Sequence, residues 1–413
     1  MPKEIQCCRI CGETSLEPIL ELGDQYLTGV FPRTPDQEVT CGPLELVKCH
    51  GVDSCGLLQL RHSYDSAEMY GANYGYRSGL NRSMVEHLQH KVASLLRSVN
   101  LSNSDLVLDV GSNDGTLLSF YPATITRVGM DPTSAKFLHH YQPGIEVISD
   151  FFSADAFFRR FGDRKAKIVT SIAMFYDLDD PLSFVEQVAE ILADDGIWHF
   201  EQSYLPSMLT TNAYDTVCHE HLEYYSLKQI KWMTDRCGLK IVDVSLNDIN
   251  GGSFGVTVTK AGSPLAANDS AVQRILADED RAGISTLEPY ARFREHVFKH
   301  RDQLLSLLDR LHTEGAKVLG YGASTKGNVI LQFCGITAEQ IPCIGEVNPD
   351  KFGSFTPGTN IPIVSEDEMH MMKPDYLLVL PWHFRQNILT REDAYLRQGG
   401  KMIFPLPEIK IFP

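Results

Sequence analysis

The sequence predicts an α/β protein in which a small cysteine-rich N-terminal module precedes two doubly wound, Rossmann-like sheets. Three observations carry this. Six of the ten cysteines (Cys7, Cys8, Cys11, Cys41, Cys49 and Cys55) fall in the first 55 residues. From about residue 100, apolar runs of strand length alternate with amphipathic helical stretches, the pattern of a parallel sheet with helices on its faces. Two of those runs, 106–110 and 317–321, lead into glycine-rich strand-to-helix turns. A chain of 413 residues accommodates two or three domains. The net charge of −16 argues against a nucleic-acid or anionic-membrane binder, which needs a basic surface. No apolar run approaches the roughly 20 residues that span a bilayer, and the first residues show no signal-peptide core. The expectation is a cytoplasmic protein with reduced cysteines, a monomer or small homo-oligomer.

The N-terminal module is expected over 1–65. Cys8-Arg-Ile-Cys11-Gly12 forms a knuckle whose two thiolates can point at one ion. Cys49 and Cys55 supply a second pair, more widely spaced, and Gly56 follows the second as Gly12 follows the first. Cys8, Cys11, Cys49 and Cys55 are therefore read as ligands of structural zinc, with Cys7 and His50 as substitutes. An all-thiolate site is closed and holds structure rather than performing chemistry. So small a segment is expected to rely on the metal for lack of a core of its own.

The second unit is placed at 66–260. Its first loop, rich in Tyr, Gly and Asn, offers Tyr74, Tyr76, Arg77 and Ser78 to a ligand, and 83–97 has helical periodicity. After the strand 106–110, which carries Asp109, the turn Gly111-Ser112-Asn113-Asp114-Gly115 lacks the third glycine of the dinucleotide fingerprint. It is expected to lead into a short helix at 117–121. The next strand ends in Asp131, where a carboxylate can accept from a ribose diol. Asp150 and Phe151 follow the third strand and are placed to grip adenine; Phe175 follows the fourth. Together Asp109, Gly111, Asn113, Asp114, Gly115 and Asp131 make the pattern of an S-adenosylmethionine site. NAD, or a turn with no ligand, are the alternatives. Strands at 240–247 and 253–260 flank the turn Asn250-Gly251-Gly252, with Ser253 after it.

The third unit is placed at 261–413. A long amphipathic helix is expected over 285–312. Then Gly322-Ala323-Ser324-Thr325-Lys326-Gly327-Asn328 makes a second strand-to-helix turn. It is not a Walker A loop, but Ser324, Lys326 and Asn328 suit phosphate at a helix N-terminus. Glu346 closes the next strand, and His383 and Arg385 follow 376–381.

Between the two sheets lies Asp215-Thr-Val-Cys-His-Glu-His-Leu-Glu-Tyr-Tyr225, eleven residues with two histidines, three acids, a thiol and two phenols. Histidine titrates nearest neutral pH and suits proton transfer. A metal site at His219-Glu220-His221 lacks H-E-x-x-H spacing, so the two rings share no helical face. A structural role is the other alternative.

Taken together, Cys8-x-x-Cys11-Gly12, Gly75-Tyr76-Arg77-Ser78, Asp109-Val-Gly-Ser-Asn-Asp-Gly115, His219-Glu220-His221, Asn250-Gly251-Gly252-Ser253 and Gly320-Tyr-Gly-Ala-Ser-Thr-Lys-Gly327 resemble the sugar C-methyltransferases of deoxysugar biosynthesis. The resemblance covers nearly the whole chain. It implies a zinc module, a central class I methyltransferase sheet and a C-terminal Rossmann-like domain. It also implies S-adenosylmethionine as donor and methylation at C3″ of a TDP- or GDP-linked 4-keto-6-deoxysugar. By that likeness His221 is the base and Glu220 an orienting group. Tyr76 donates to the C4 oxygen, and His219 is structural. Family members often carry an aromatic hydroxyl where this chain has Cys218, a departure that would move that role to Tyr224. An O- or N-methyltransferase, or a non-catalytic zinc-scaffolded nucleotide-sugar binder, are the competing expectations.

Overall fold

The computed structural model describes residues 2–70 and 76–413. The N-terminal module is a sheet, not a bare metal loop. Leu16–Tyr26 pairs antiparallel with Cys41–Cys49, which pairs with Leu58–Leu60. A fourth strand arrives from far along the chain. Glu223–Tyr224 pairs antiparallel with Leu58–Leu60, Glu223 opposite Gln59 and Tyr224 opposite Leu58. The expectation that metal substitutes for a core is thereby corrected. Leu20, Leu22, Leu44, Leu46, Leu58 and Leu60 are buried in one cluster with Met208, Leu222, Tyr224 and the apolar side chains of the C-terminal sheet. Cys8, Ile10, Cys49, Cys55 and Leu57 belong instead to the core of the central domain. The module is short of apolar surface only in isolation, because its leucines are spent on its neighbours.

The central sheet has seven strands in the order Leu239–Asn247, Ser253–Lys260, Leu192–Ser203, Ala166–Ile172, Leu106–Val110, Thr126–Met130, Ile145–Ile148. All pairings are parallel except those of Ser253–Lys260 with its two neighbours. Leu106–Val110 is buried along its whole length, Asp109 included, as a strand in a sheet covered on both faces should be. The helix expected at 117–121 shrinks to one 3₁₀ turn, Leu118–Phe120. Pro122 follows immediately and excludes continuation.

The C-terminal sheet has six strands in the order Ile363–Ser365, Ile344–Glu346, Val318–Tyr321, Tyr376–Val379, Lys401–Phe404, Lys410–Phe412, with only the last antiparallel. The long helix is Glu288–Thr313; Pro289 sits in its first turn, where its missing N–H costs nothing. Its buried residues, from Tyr290 through Phe293, Val297, His300, Leu304 and Leu308 to Leu311, recur every three or four positions. A separate helix, Asp269–Arg281, precedes it, its N-terminus capped by Asn268 accepting from Ala271 N–H at 3.3 Å.

Leu46 is fully buried in the shared cluster. Leu46→Ala is expected to cost about 2–5 kcal/mol in urea unfolding of the full chain. A cost under about 1 kcal/mol would show that the module packs by itself.

Candidate active site

The segment 214–225 is held by all three units. Asp215 is fully buried, and its Oδ2 accepts from Trp382 Nε1 of the C-terminal domain at 2.7 Å. Leu222 N–H donates to the Tyr176 carbonyl of the central domain at 2.8 Å, and the Leu222 carbonyl accepts from Leu60 N–H of the module at 2.8 Å. Between these ties a tight turn, closed by His221 N–H on the Cys218 carbonyl at 3.1 Å, sends the two histidines to different sides. His219 is buried edge-on to Tyr64, centroids 4.5 Å apart. His221 meets Tyr176 at 4.4 Å.

His221 Nδ1 lies 2.8 Å from the Thr216 carbonyl. A carbonyl only accepts, so Nδ1 carries the proton and Nε2 the free lone pair. Burial, then the charge of Lys326, holds the imidazole down at about 3, so it is neutral at physiological pH. Burial likewise holds His219 at about 4. The Tyr224 hydroxyl shares the same carbonyl, donating to Thr216 O at 3.3 Å. Glu220 accepts from Thr28 Oγ1 at 3.3 Å and lies so near Gly29 that a Cβ there would sit 2.4 Å from Glu220 Oε1. Burial raises the Glu220 carboxyl, and burial and the charges of Glu220 and Asp177 raise the Cys218 thiol well above its ordinary value. Cys218 is thus a neutral, fully buried packing residue.

The glycine turn is built as its sequence requires. Gly111, Asn113 and Gly115 have positive φ of 74°, 51° and 75°. A Cβ on Gly111 would stand 2.9 Å from Met174 Cγ. Asp131 organises the turn, its Oδ2 accepting from Asn113 N–H at 2.8 Å and its Oδ1 from Thr133 N–H at 2.6 Å. Asp109 accepts from Thr170 Oγ1 at 2.6 Å and is pushed up to about 7 by burial. The stretch after the first loop is laid over the turn. Ser78 N–H donates to Asn113 Oδ1 at 3.0 Å, Gly79 N–H to Asp114 Oδ2 at 2.9 Å, and Asn113 Nδ2 to the Tyr76 carbonyl at 3.2 Å. Arg77 Nε stands 3.7 Å from Asp114 Oδ2. Tyr76, Arg77 and Ser78 therefore gather at the glycine turn, with the Tyr76 ring half exposed; Tyr74 lies outside the described residues. Asp150 and Phe151 are exposed at the end of the third strand. Phe175 is buried against Phe184, Trp198, Phe200 and Tyr225, so it supports the site from within the core and does not line it.

Tyr141 and Glu201 were not singled out by their sequence context. The Tyr141 hydroxyl donates to the Asn113 carbonyl at 2.9 Å, and the ring fills the space a Cβ on Gly115 would need. A single tyrosine in a loop leaves no periodic signal. Glu201, buried on strand Leu192–Ser203, is met at 2.5 Å by both His87 Nε2 and Lys91 Nζ and at 2.7 Å by Asn247 Nδ2. Burial alone would raise it; the bond from His87 and the charge of Lys91 outweigh this and hold it at about 2.

On the C-terminal side, Ser324 caps the helix Thr325–Cys334 by accepting from Gly327 N–H at 3.0 Å. Lys326 Nζ reaches the Asn250 carbonyl at 3.1 Å, joining this turn to the Asn250-Gly251-Gly252 turn. His383 lies next to Trp382 and is held well below its ordinary value by burial, then by Lys326. Four other candidates are engaged structurally. Ser253 Oγ donates to the Ile249 carbonyl at 2.9 Å, and Asn328 Nδ2 to the Thr28 carbonyl at 2.7 Å. Glu346 accepts from the N–H groups of Ala323, Val347 and Asn348 at 2.9, 2.8 and 3.0 Å. The Arg385 guanidinium lies over the Phe412 ring.

The Sγ atoms of Cys8, Cys11, Cys49 and Cys55 all lie within 4.8 Å of one another, with Cys8–Cys55 and Cys11–Cys49 at 3.5 Å. Tetrahedral zinc with Zn–S near 2.3 Å sets its sulfurs about 3.8 Å apart, so the four fit. Cys49 N–H on the Leu57 carbonyl at 2.8 Å folds back the wide Cys49–Cys55 loop. The glycine turn likewise fits S-adenosylmethionine. Gly111 and Gly115 bring no side chains to the strand end, and Asp131, whose Oδ1 takes both the N–H and the hydroxyl of Thr133 and whose Oδ2 takes Asn113 N–H, keeps a lone pair on Oδ2 for a ribose hydroxyl.

Fold and site together define an S-adenosylmethionine-dependent methyltransferase with a zinc-binding N-terminal module. Comparison with known proteins agrees. A family described as "Putative zinc binding domain" matches residues 8–70, "Methyltransferase domain" 82–244 and "C-methyltransferase C-terminal domain" 248–407. The chain is 31% identical to C-methyltransferase NovU of Streptomyces niveus, over 99% of this chain and 97% of that protein. It belongs to this family of C-methyltransferases. Among solved structures, the methyltransferase held by the Trm112 activator of Haloferax volcanii aligns with 44% of this chain and 94% of its own, at 15% identity and TM-score 0.37. The plantazolicin methyltransferase BpumL, complexed with SAH, aligns with 42% of this chain and 82% of its own, at 9% identity and TM-score 0.34.

Two expectations follow from the geometry. Cys11→Ser should lower bound zinc below one per chain by metal analysis and reduce the thermal midpoint by several degrees, since binding of such a metal is coupled to folding. His219 has a folded value below its unfolded one, so its contribution is full above about pH 6.5 and is lost as pH falls toward 4. His219→Asn should therefore flatten the loss of stability between pH 6.5 and 4 by up to about 1.4 kcal/mol per pH unit, read from urea midpoints.

Proposed function

We propose that this C-methyltransferase methylates C3″ of a nucleotide-linked 4-keto-6-deoxysugar through a base-generated enolate. The observation that carries this is the fixed tautomer of His221, whose free Nε2 is a positioned neutral base. A ketone at C4″ acidifies the C3″ proton. His221 Nε2 takes that proton, and the electron pair left at C3″ delocalises onto the C4″ oxygen. Tyr76 is the candidate donor to that oxygen, because Tyr224 is already committed to the Thr216 carbonyl. Bound S-adenosylmethionine supplies an electrophilic methyl for the carbon so activated, held by the glycine turn with Asp131, Asp150 and Phe151. The imidazolium keeps its Nδ1–H on the Thr216 carbonyl while charged.

Lys326 and the capped N-terminus of helix Thr325–Cys334 offer a cation and backbone N–H groups to the diphosphate of a TDP- or GDP-linked sugar. The same lysine lowers His221, second only to burial. A diphosphate paired with Lys326 cancels part of that effect, so substrate binding itself makes His221 a stronger base.

With a 4-keto-6-deoxysugar nucleotide in deuterated water and no methyl donor, the enzyme should place deuterium at C3″, seen by mass spectrometry. His221→Asn should keep its affinity for S-adenosylmethionine and lose about 10²–10⁴ in kcat. Near-normal turnover in that variant would remove His221 from the base role, and no exchange across TDP and GDP sugars would sink the carbon-acid reading.

A further inference from the structure

Arg9 stands between two of the clustered cysteines, Cys8 and Cys11, and its side chain is only 3% exposed. Its guanidinium meets three stretches of chain. Nη1 donates to the Leu60 carbonyl at 2.6 Å, Nη2 to Ser63 Oγ at 2.9 Å, and Nε stands 3.6 Å from Glu223 Oε1. Ser63 Oγ passes the connection on by donating to Asp179 Oδ1. The backbone agrees with the side chain, since Arg9 N–H donates to Gln59 Oε1 at 3.1 Å.

These contacts reach two segments that flank His221, the strand after it and the stretch after Tyr176. Glu223 is two residues beyond His221 and pairs with Gln59 across the strands. Asp179 is three residues beyond Tyr176, whose ring packs on His221. Glu223 is 2% exposed, and neither carboxylate oxygen has a hydrogen-bonding side chain among the described residues. It also helps line the small cavity that His221, Thr216 and Tyr224 line. Burial raises the Glu223 carboxyl well above its ordinary value and Arg9, the cation facing it among the described residues, opposes that; removing Arg9 would take away this tether on the strand that carries Glu223. The planar arginine fork donates to a carbonyl and a hydroxyl while its charge stands 3.6 Å from the carboxylate, an arrangement a lysine point charge cannot reproduce.

We propose that Arg9 is a positioning residue, coupling the cysteine knuckle to the base through Glu223 on one side and the Ser63–Asp179 contact on the other. This rests on His221 being the base. The zinc knuckle is then part of the catalytic geometry: it holds Arg9, and Arg9 holds the strand that follows His221.

The test is Arg9→Gln in the full-length, zinc-loaded chain, with Arg9→Lys and Arg9→Gln/Glu223→Gln beside it. Zinc per chain and affinity for S-adenosylmethionine should stay within about twofold of the parent. Amide hydrogen exchange at residues 222–224 should rise tenfold or more, while the glycine turn at 111–115 keeps its protection. kcat should fall at least tenfold with KM little changed. Arg9→Lys should recover part of both effects, because it restores the charge, and the double variant should recover part of the exchange protection, because it removes the unpaired carboxylate. Unchanged exchange at 222–224 in zinc-loaded Arg9→Gln overturns the proposal, and so does loss of zinc in that variant, which would make Arg9 a support of the knuckle alone. The exchange readout is independent of turnover. If His221→Asn removed His221 as base, the Arg9-dependent protection would remain, so the two failures are distinguishable.

Discussion

Two strands of two and three residues, Glu223–Tyr224 on Leu58–Leu60, are the join on which the rest of the site depends. Strand pairing fixes register: Glu223 opposes Gln59 and cannot slip by one residue without turning every side chain to the wrong face. That register decides that Leu222 bonds backward to Tyr176 and sideways to Leu60, and that the turn before it opens with His221 toward Tyr176 and His219 toward Tyr64. Two histidines separated by one residue thus have different tasks because the backbone between them turns. The N-terminal module therefore braces the segment that carries the site.

Electrostatics complete what the backbone begins. The segment is crowded with groups whose charged forms burial disfavours: Glu220 and Cys218 are raised, His219 and His221 lowered. Each of these shifts favours the neutral form of its group. Lys326, reaching in from the C-terminal domain to the Asn250 carbonyl, is the charge that lowers His221 after burial. On the proposed reaction, that lysine would face the diphosphate of the substrate. Glu201 shows the opposite solution, a buried carboxylate kept ionised because His87 and Lys91 face it directly.

Much of this was legible in the sequence, and the reasons are local. Both strand-to-helix turns announced themselves because positive φ, at Gly111 and Gly115 in the first and at Gly322 in the second, favours glycine whatever surrounds it. The cysteine ligands followed from clustering and spacing, and the hairpin around Asn250-Gly251-Gly252 from β-rich runs flanking a turn. What stayed hidden depends on distant partners. Nothing near residue 223 says that its strand neighbour lies at residue 59. The module's leucines read as too few for a core because their partners belong to other domains. Phe175 read as a ligand contact because it follows a strand; only packing reveals the four rings around it. Cys218, an anomaly beside histidines and acids, is explained by complete burial, where a thiol fits as a small apolar group.

The central claim is that three domains together fix His221 as a neutral imidazole with its proton on Nδ1. Two-bond ¹H–¹⁵N correlation spectroscopy on histidine-labelled protein reports tautomer and charge of each ring directly. The account predicts that the His221 signal shows the Nδ1–H tautomer and does not titrate between pH 5 and 8 in the free enzyme, consistent with a value near 3. A ring protonated on Nε2, or one that titrates near 6.5, would contradict it.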